Sequence, residues 1–474
     1  EIPALTARHM ALHIWPLATW ALSCRGQHVC EDGICDVTMV QLDVAKTLRR
    51  TTSSPYWYPS RGVDYNRTGQ SQADSIFPLK NLSWKYEVPL LNFHQTPCID
   101  DMKNVYTGSD NGTILSFTEH GVLRWKVHGP SRSCQNPFLF QDVLYTGCAD
   151  GSILALSMKD GTLLWSKKTC EALPSDTYSI TATVDHLFVP CGAVVPFSSP
   201  GVALVDRKSG EVLWTKDLLP ALTVNLAPCM LSDSVVFSDV AGGIYRLKLS
   251  DGSLMWYTAP FSRLSYTLGG IACNADGLVF NGFAINLLLP LPAEVPSHAQ
   301  GGLSAFDVET GERRWTTWTT APVHNAPSVG WLYGHQREAV VFGMGIPPGG
   351  PTDPPKWYTG TLYAVDSHHG DVLWTFEPKA WFGSGAASST VEQVCAPDLF
   401  SGATFAKDGT VYINWSAGGI TYALRDVNQD GRIARDDPEE VSSIDFASGA
   451  TGPPALADKM LVVLTCRGPR VVMA

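Results

Sequence analysis

A glycine followed four positions later by a tryptophan recurs along most of the chain, at Gly121/Trp125, Gly161/Trp165, Gly210/Trp214, Gly252/Trp256, Gly311/Trp315 and Gly370/Trp374. The tryptophans lie 40, 49, 42, 59 and 59 residues apart, and a period near that size is the signature of stacked structural units. Each copy has the layout of 142–165, in which three apolar runs of strand type are separated by Asp150-Gly151 and Asp160-Gly161. Such dipeptides readily take the positive-φ conformations of tight hairpins. A further run ahead of it, Pro137–Phe140, makes the unit a four-stranded antiparallel meander. One meander cannot bury both of its faces, so the copies must stack, and radial stacking of four-stranded units gives a β-propeller. The indole belongs on the outermost strand, covering the gap to the neighbouring blade, and the glycine permits the turn before it.

Counted from Pro97, six tryptophan-marked blades are followed by a seventh running from Ala403 to Phe446. Only three apolar runs remain after that, at 453–457, 460–464 and 470–473. The missing strand is available at the other end, in 82–88, whose Trp84 precedes Trp125 by 41 residues. A strand from the N-terminal side that completes the last blade closes the ring and removes exposed sheet edges. The expected fold is therefore all-β: an eight-bladed propeller of four-stranded antiparallel blades over 55–474, preceded by a small arm, 1–54, with Cys24, Cys30 and Cys35.

The pattern Ala305-Phe-Asp307 to Gly311 to Trp315, repeated as Ala364-Val-Asp366 to Gly370 to Trp374, resembles the tryptophan-docking motif of PQQ-like, or quinoprotein alcohol dehydrogenase-like, propellers. The leader from Trp57-Tyr-Pro59 through Gly62 and Asp64 to Gly69 is similar to the stretch that often precedes the first blade in that family. The resemblance covers roughly 55–474 and implies the fold, but this superfold hosts both enzymes and scaffolds. Family enzymes usually carry an adjacent Cys-Cys pair and a Trp-Asp-x-Asp segment, and this chain has neither. PQQ is accordingly not expected here, and no residue is assigned to it.

Composition narrows the partners. A formal net charge of −11 without a lysine or arginine cluster argues against a nucleic-acid surface, which needs concentrated positive charge. No apolar run approaches the ~20 residues of a membrane span. The short apolar stretch 10–23 is broken by His13 and Pro16 and reads as a packed arm. Twelve cysteines and sequons at Asn66, Asn81, Asn111 and Asn414 favour an oxidising compartment, secreted or lumenal, with disulfides and glycans.

The sharpest local motif is the segment from Asp426 to Asp437, which matches an EF-hand calcium loop in its liganding pattern. Side-chain oxygens of Asp426, Asn428 and Asp430 and the carbonyl of Arg432 suit a hard cation, Gly431 makes the turn, and Asp437 is the expected closing carboxylate. The preceding 419–424 reads as a strand, so the expectation is a structural Ca²⁺ loop between the last two strands of the seventh blade.

In such a meander, the loops between second and third strands and the connections between blades emerge on one face of the ring. The three longest of those loops, 191–200, 281–292 and 346–358, are rich in proline and apolar residues, and long loops in compact repeats tend to be functional. Leu287, Leu288, Leu289, Leu291, Trp357 and Tyr358 are the candidate partner-binding residues, since aromatic and aliphatic anchors dominate interface energetics. His94, His128, His324 and His298 reach the same face and are weighed as a metal cluster, against isolated histidines. The reading is a non-catalytic binding or assembly propeller with a protein partner. Its rivals are a PQQ- and Ca²⁺-dependent dehydrogenase and a glycan-binding or glycan-active propeller.

Overall fold

The computed structural model describes residues 54–87, 92–93, 95–173, 180–192, 201–218, 227–261, 265–267, 269–285, 293–347, 354–383, 398–416 and 418–474. The arm with Cys24, Cys30 and Cys35 lies outside them. The described residues form a ring of eight antiparallel blades. Blade 1 is Cys98–Ile99, Val105–Gly108, Thr113–Phe117 and Leu123–His128. Each later blade repeats that meander, with a short buried inner strand and an outer strand that alternates between exposed and half-buried positions. Alternation on the outer strand and continuous burial inside follow from one rule: only the rim faces water on one side.

Ring closure is as expected. The last blade orders Ala455–Ala457, Met460–Thr465 and Gly468–Met473, and its outer strand is Leu82–Lys85. Lys85 pairs with Arg470 and Trp84 with Val471. This strand is shorter than the 82–88 read from sequence.

The seams between blades are made by the repeat motif, but across it. Trp125 of blade 1 donates its Nε1–H to Met158 O in the outer turn of blade 2, and a Cβ on Gly161 of that turn would lie 2.9 Å from the indole. Trp84 with Gly121, Trp165 with Gly210, Trp214 with Gly252, Trp256 with Gly311 and Trp315 with Gly370 repeat the contact. Each glycine has a positive φ, so it is required twice over, by the turn and by the neighbouring ring.

The seam between blades 6 and 7 is different. Blade 7 consists of Thr404–Phe405, Val411–Trp415, Ile420–Leu424 and Val441–Asp445. Between its last two strands the chain leaves the blade, and Arg432–Ile433 pairs in parallel with Thr375–Phe376 as a fifth strand on the edge of blade 6. Trp374 is buried beneath it with Phe376, Tyr422 and Ile433.

Candidate functional site

The leader, residues 58–71, crosses one end of the central channel and binds the inner strands of successive blades. Tyr58 exchanges main-chain bonds with Ile99 at 3.0 and 2.8 Å, and Pro59, Tyr65, Asn66 and Thr68 accept from Leu139, Met230, Cys273 and Val329 of blades 2, 4, 5 and 6. Gly69 and Ser71 bracket Phe405 of blade 7. Arg67 is buried at the centre of this crossing and donates to Ser60 Oγ at 3.0 Å, Pro228 O at 3.3 Å, Arg61 O and Thr181 Oγ1 of blade 3. Burial, with Arg61 nearby, lowers its guanidinium to about 10, so it stays charged at neutral pH. The chain then runs outward over blade 7: Ile76 N donates to Tyr412 Oη at 2.6 Å and Leu79 N to Ser442 Oγ at 2.8 Å.

The Arg67 guanidinium is not available to an anionic ligand such as PQQ. A tricarboxylate quinone wants free cationic donors, and Arg67 is already engaged by four protein oxygens. Further round the ring, in the connection after blade 5, His324 is buried against Tyr266 at 4.7 Å between ring centroids, and neither ring nitrogen has a hydrogen-bond partner. Burial lowers it to about 4, leaving a neutral ring. His128 is exposed beside Thr113, His298 is exposed, and His94 lies outside the described residues. Among the described residues no three His, Cys, Asp or Glu side chains stand close enough, as they are placed, to hold a metal, and His128, His298 and His324 form no such cluster.

Leu287, Leu288, Leu289 and Leu291 lie outside the described residues. The loop of blade 6 returns as Lys356–Tyr358 and pairs antiparallel with Trp381–Gly383, from the connection that follows the same blade. Strand alternation then divides the side chains. Tyr358 turns inward, 2% exposed and stacked on Trp381 at 5.3 Å, whereas Trp357 is 68% exposed and packs on Phe382, itself 53% exposed, at 5.2 Å. Tyr358 is therefore buried, and Phe382 is the ring exposed beside Trp357. Lys356, Met344, Ile346, Glu377 and Arg435 line a cavity of about 630 Å³ beside the two rings. Arg435 arrives from the 426–437 excursion, which thus extends to this rim. Paired exposed aromatics beside charged groups are the composition of a recognition surface.

Asp426, Asn428, Asp430, Arg432 and Asp437 lie between the third and fourth strands of blade 7. Asn428 Oδ1 accepts from Asp430 N and Asp430 Oδ1 from Arg432 N, each at 2.9 Å, which shapes the tip. Asp437 Oδ1 accepts from Glu439 N at 2.9 Å, and its carbonyl accepts from Glu440 and Val441. Glu440, not singled out by sequence, is buried at the neck. Motif spacing ends at position twelve and gives no reason to look three residues further.

Two sequons are closed by folding. Asn66 is buried in the channel crossing, and Asn414 is buried with its Nδ2 donating to Gly452 O at 2.9 Å and its Oδ1 accepting from Thr421 at 2.6 Å. Neither amide can carry a glycan in this fold, whereas Asn81 and Asn111 are exposed. Disulfides join Cys134 to Cys148, Cys170 to Cys191 and Cys229 to Cys273, and Cys98 is a buried free thiol.

Comparison with known proteins agrees with this geometry. A family model described as outer membrane protein assembly factor BamB matches residues 81–262 and 198–465. The BamB of Xanthomonas campestris pv. campestris is 31% identical over 137 residues, 28% of this chain and 32% of that protein. The BamB of Shewanella oneidensis is 20% identical over 178 residues, 35% of this chain and 44% of that protein. The chain thus spans less than half the length of these curated relatives. The crystal structure of BamB from Moraxella catarrhalis superposes with a TM-score of 0.52 at 14% identity, covering 83% of this chain and 96% of that one. Quinohemoprotein alcohol dehydrogenase ADHIIG from Pseudomonas putida HK5 gives 0.58 at 13%, covering 92% and 78%. At such identities the structural likeness is one of fold, shared by an assembly factor and an enzyme alike. The family model, by contrast, runs through all eight blades, and the chain belongs to the family of PQQ-like propellers described as outer membrane protein assembly factor BamB.

Proposed function

We propose that this chain is a non-catalytic propeller that binds a protein partner through the rim of its insertion face, as one subunit of a larger assembly. The observation that carries the reading is the exposed pair Trp357 and Phe382, held on a two-stranded flap with Tyr358 and Trp381. Large aromatic rings left in water cost free energy that a partner recovers, and such anchors account for most of the binding energy of interfaces. Relatives named as assembly factors point the same way. The disulfides Cys134–Cys148, Cys170–Cys191 and Cys229–Cys273 support an oxidising compartment outside the cytoplasm, secreted or lumenal, where exposed Asn81 and Asn111 would carry glycans.

The test compares the full chain with the double variant Trp357→Ala/Phe382→Ala, both tagged and recovered from the native host under identical conditions. A protein that co-purifies in fixed ratio with the parent and is lost from the equally stable double variant supports the reading. Equal recovery by both sinks it. Dye-linked alcohol oxidation after reconstitution with PQQ and Ca²⁺ would move the chain among the dehydrogenases, and retention of a polysaccharide that depends on the two rings would replace the protein partner with a glycan.

A further inference from the structure

We infer that the excursion at 426–440 binds one Ca²⁺ ion, and that the carboxylate closing the site is Glu440 and not Asp437. Asp426, Asn428, Asp430 and the Arg432 carbonyl occupy the first, third, fifth and seventh positions of an oxygen-ligand loop, with Gly431 at φ 85° making its turn. Two buried carboxylates flank the neck. Asp426 is 2% exposed and Glu440 1%, and Arg425 N donates to Glu440 O at 2.9 Å, which brings their main chains together.

Each carboxylate has one oxygen in use and one idle. Asp426 Oδ2 lies 3.4 Å from His335 Nε2, and Glu440 Oε2 accepts from Ala434 N at 2.8 Å, which turns that side chain into the loop. Asp426 Oδ1 and Glu440 Oε1 are buried without a hydrogen-bond partner. Carboxylate oxygens stripped of water and left unpaired are costly to hold. A hard divalent cation that takes six to eight oxygens satisfies both and offsets both charges. Asp437 is differently placed, since its side chain and carbonyl already cap the turn into the last strand of the blade.

The outer ligands are held by one another: Asn428 Nδ2 donates to Asp430 Oδ2 at 3.1 Å. Ca²⁺ binding breaks that bond and turns both heads toward the neck. Because Arg432–Ile433 is also the fifth strand of blade 6, closing the loop clamps blade 6 to blade 7 at the one seam where the excursion, and no turn glycine, covers the tryptophan of the preceding blade.

The experiment uses the full chain stripped with EDTA and titrated with CaCl₂ by calorimetry, alongside trypsin cleavage after the exposed Arg432 and Arg435. The expected result is one equivalent bound with a dissociation constant of about 1 mM or tighter, slower cleavage at both arginines, and no such effect of Mg²⁺ at the same concentration. Glu440→Gln and Asp430→Asn should each weaken binding at least tenfold, and Asp437→Asn should leave it within about twofold. Asp430 lies at the exposed tip, so its variant carries the test if Glu440→Gln fails to fold. No heat and no protection at millimolar Ca²⁺ would overturn the site and assign the idle oxygens to water. Loss of binding in Asp437→Asn with retention in Glu440→Gln would overturn the assignment of the closing ligand.

Discussion

Gly370 rests on the indole of Trp315, one blade upstream: a Cβ at Gly370 would lie 2.5 Å from Trp315 Cε3, while the indole Nε1 donates to Ser367 O at 3.1 Å. The glycine's own carbonyl accepts from Thr317 Oγ1 at 2.6 Å. Gly311 and Trp256 repeat the relationship, with Thr258 Oγ1 donating to Gly311 O at 2.6 Å. The glycine and tryptophan adjacent in each motif therefore serve two different seams, which makes the repeat self-propagating around the ring.

Gly370→Ala combines a methyl that clashes with a fixed ring and a φ of 76° that alanine adopts at a cost. Such overpacking and backbone strain together are worth about 2–4 kcal/mol. Urea unfolding followed by tryptophan fluorescence should show a lower midpoint; an unchanged midpoint would mean that the seam relaxes freely.

Arg67 is the hub of the channel crossing. Arg67→Met leaves the oxygens of Ser60, Thr181 and Pro228 without their charged donor, a loss of about 2–4 kcal/mol. Arg67→Lys should recover little, because one ammonium cannot reach oxygens on three different segments. Thermal unfolding of the three proteins checks the ranking.

Cys229 and Cys273 tie the inner strands of blades 4 and 5 over a separation of 44 residues. Loop-closure entropy over that length corresponds to about 4 kcal/mol, so Cys229→Ser/Cys273→Ser should lower the unfolding midpoint markedly in non-reducing buffer. In excess reductant the difference from the parent should shrink.

His324 is neutral in the folded chain because burial lowers it from 6.5 to about 4. The unfolded chain binds this proton first, so the contribution to stability is fully present above about pH 6.5 and is lost progressively as pH falls toward 4. The full effect is about 3 kcal/mol. His324→Phe keeps a ring against Tyr266 and should flatten the stability profile between pH 6.5 and 4; an unchanged slope would show that the ring is solvated.

Produced in a glycosylating host, the chain should carry glycans on Asn81 and Asn111 and none on Asn66 or Asn414. Peptide mapping after enzymatic deglycosylation reads the four sites directly.

The blade count, the strand borrowed from 82–88, and the place of the Asp426 loop in blade 7 were all legible in the sequence. Hairpins and turns are encoded by residues a few positions apart, and a repeat multiplies that local signal until it outweighs any single irregularity. What a residue faces is not local. Asn66 and Asn414 read as surface sequons and are buried by strands distant in the chain. Tyr358 and Trp357 are neighbours in sequence, yet pairing with Trp381–Gly383 sends one inward and the other to solvent. The leader has no periodicity of its own, because its partners are main-chain groups from six different blades and a threonine hydroxyl from a seventh. Glu440 escaped notice for the same reason: its burial and its idle oxygen exist only once the excursion folds back on its own neck. Local chemistry thus determined the ring, and only the closure of distant segments onto one another decided which side chains were left to bind.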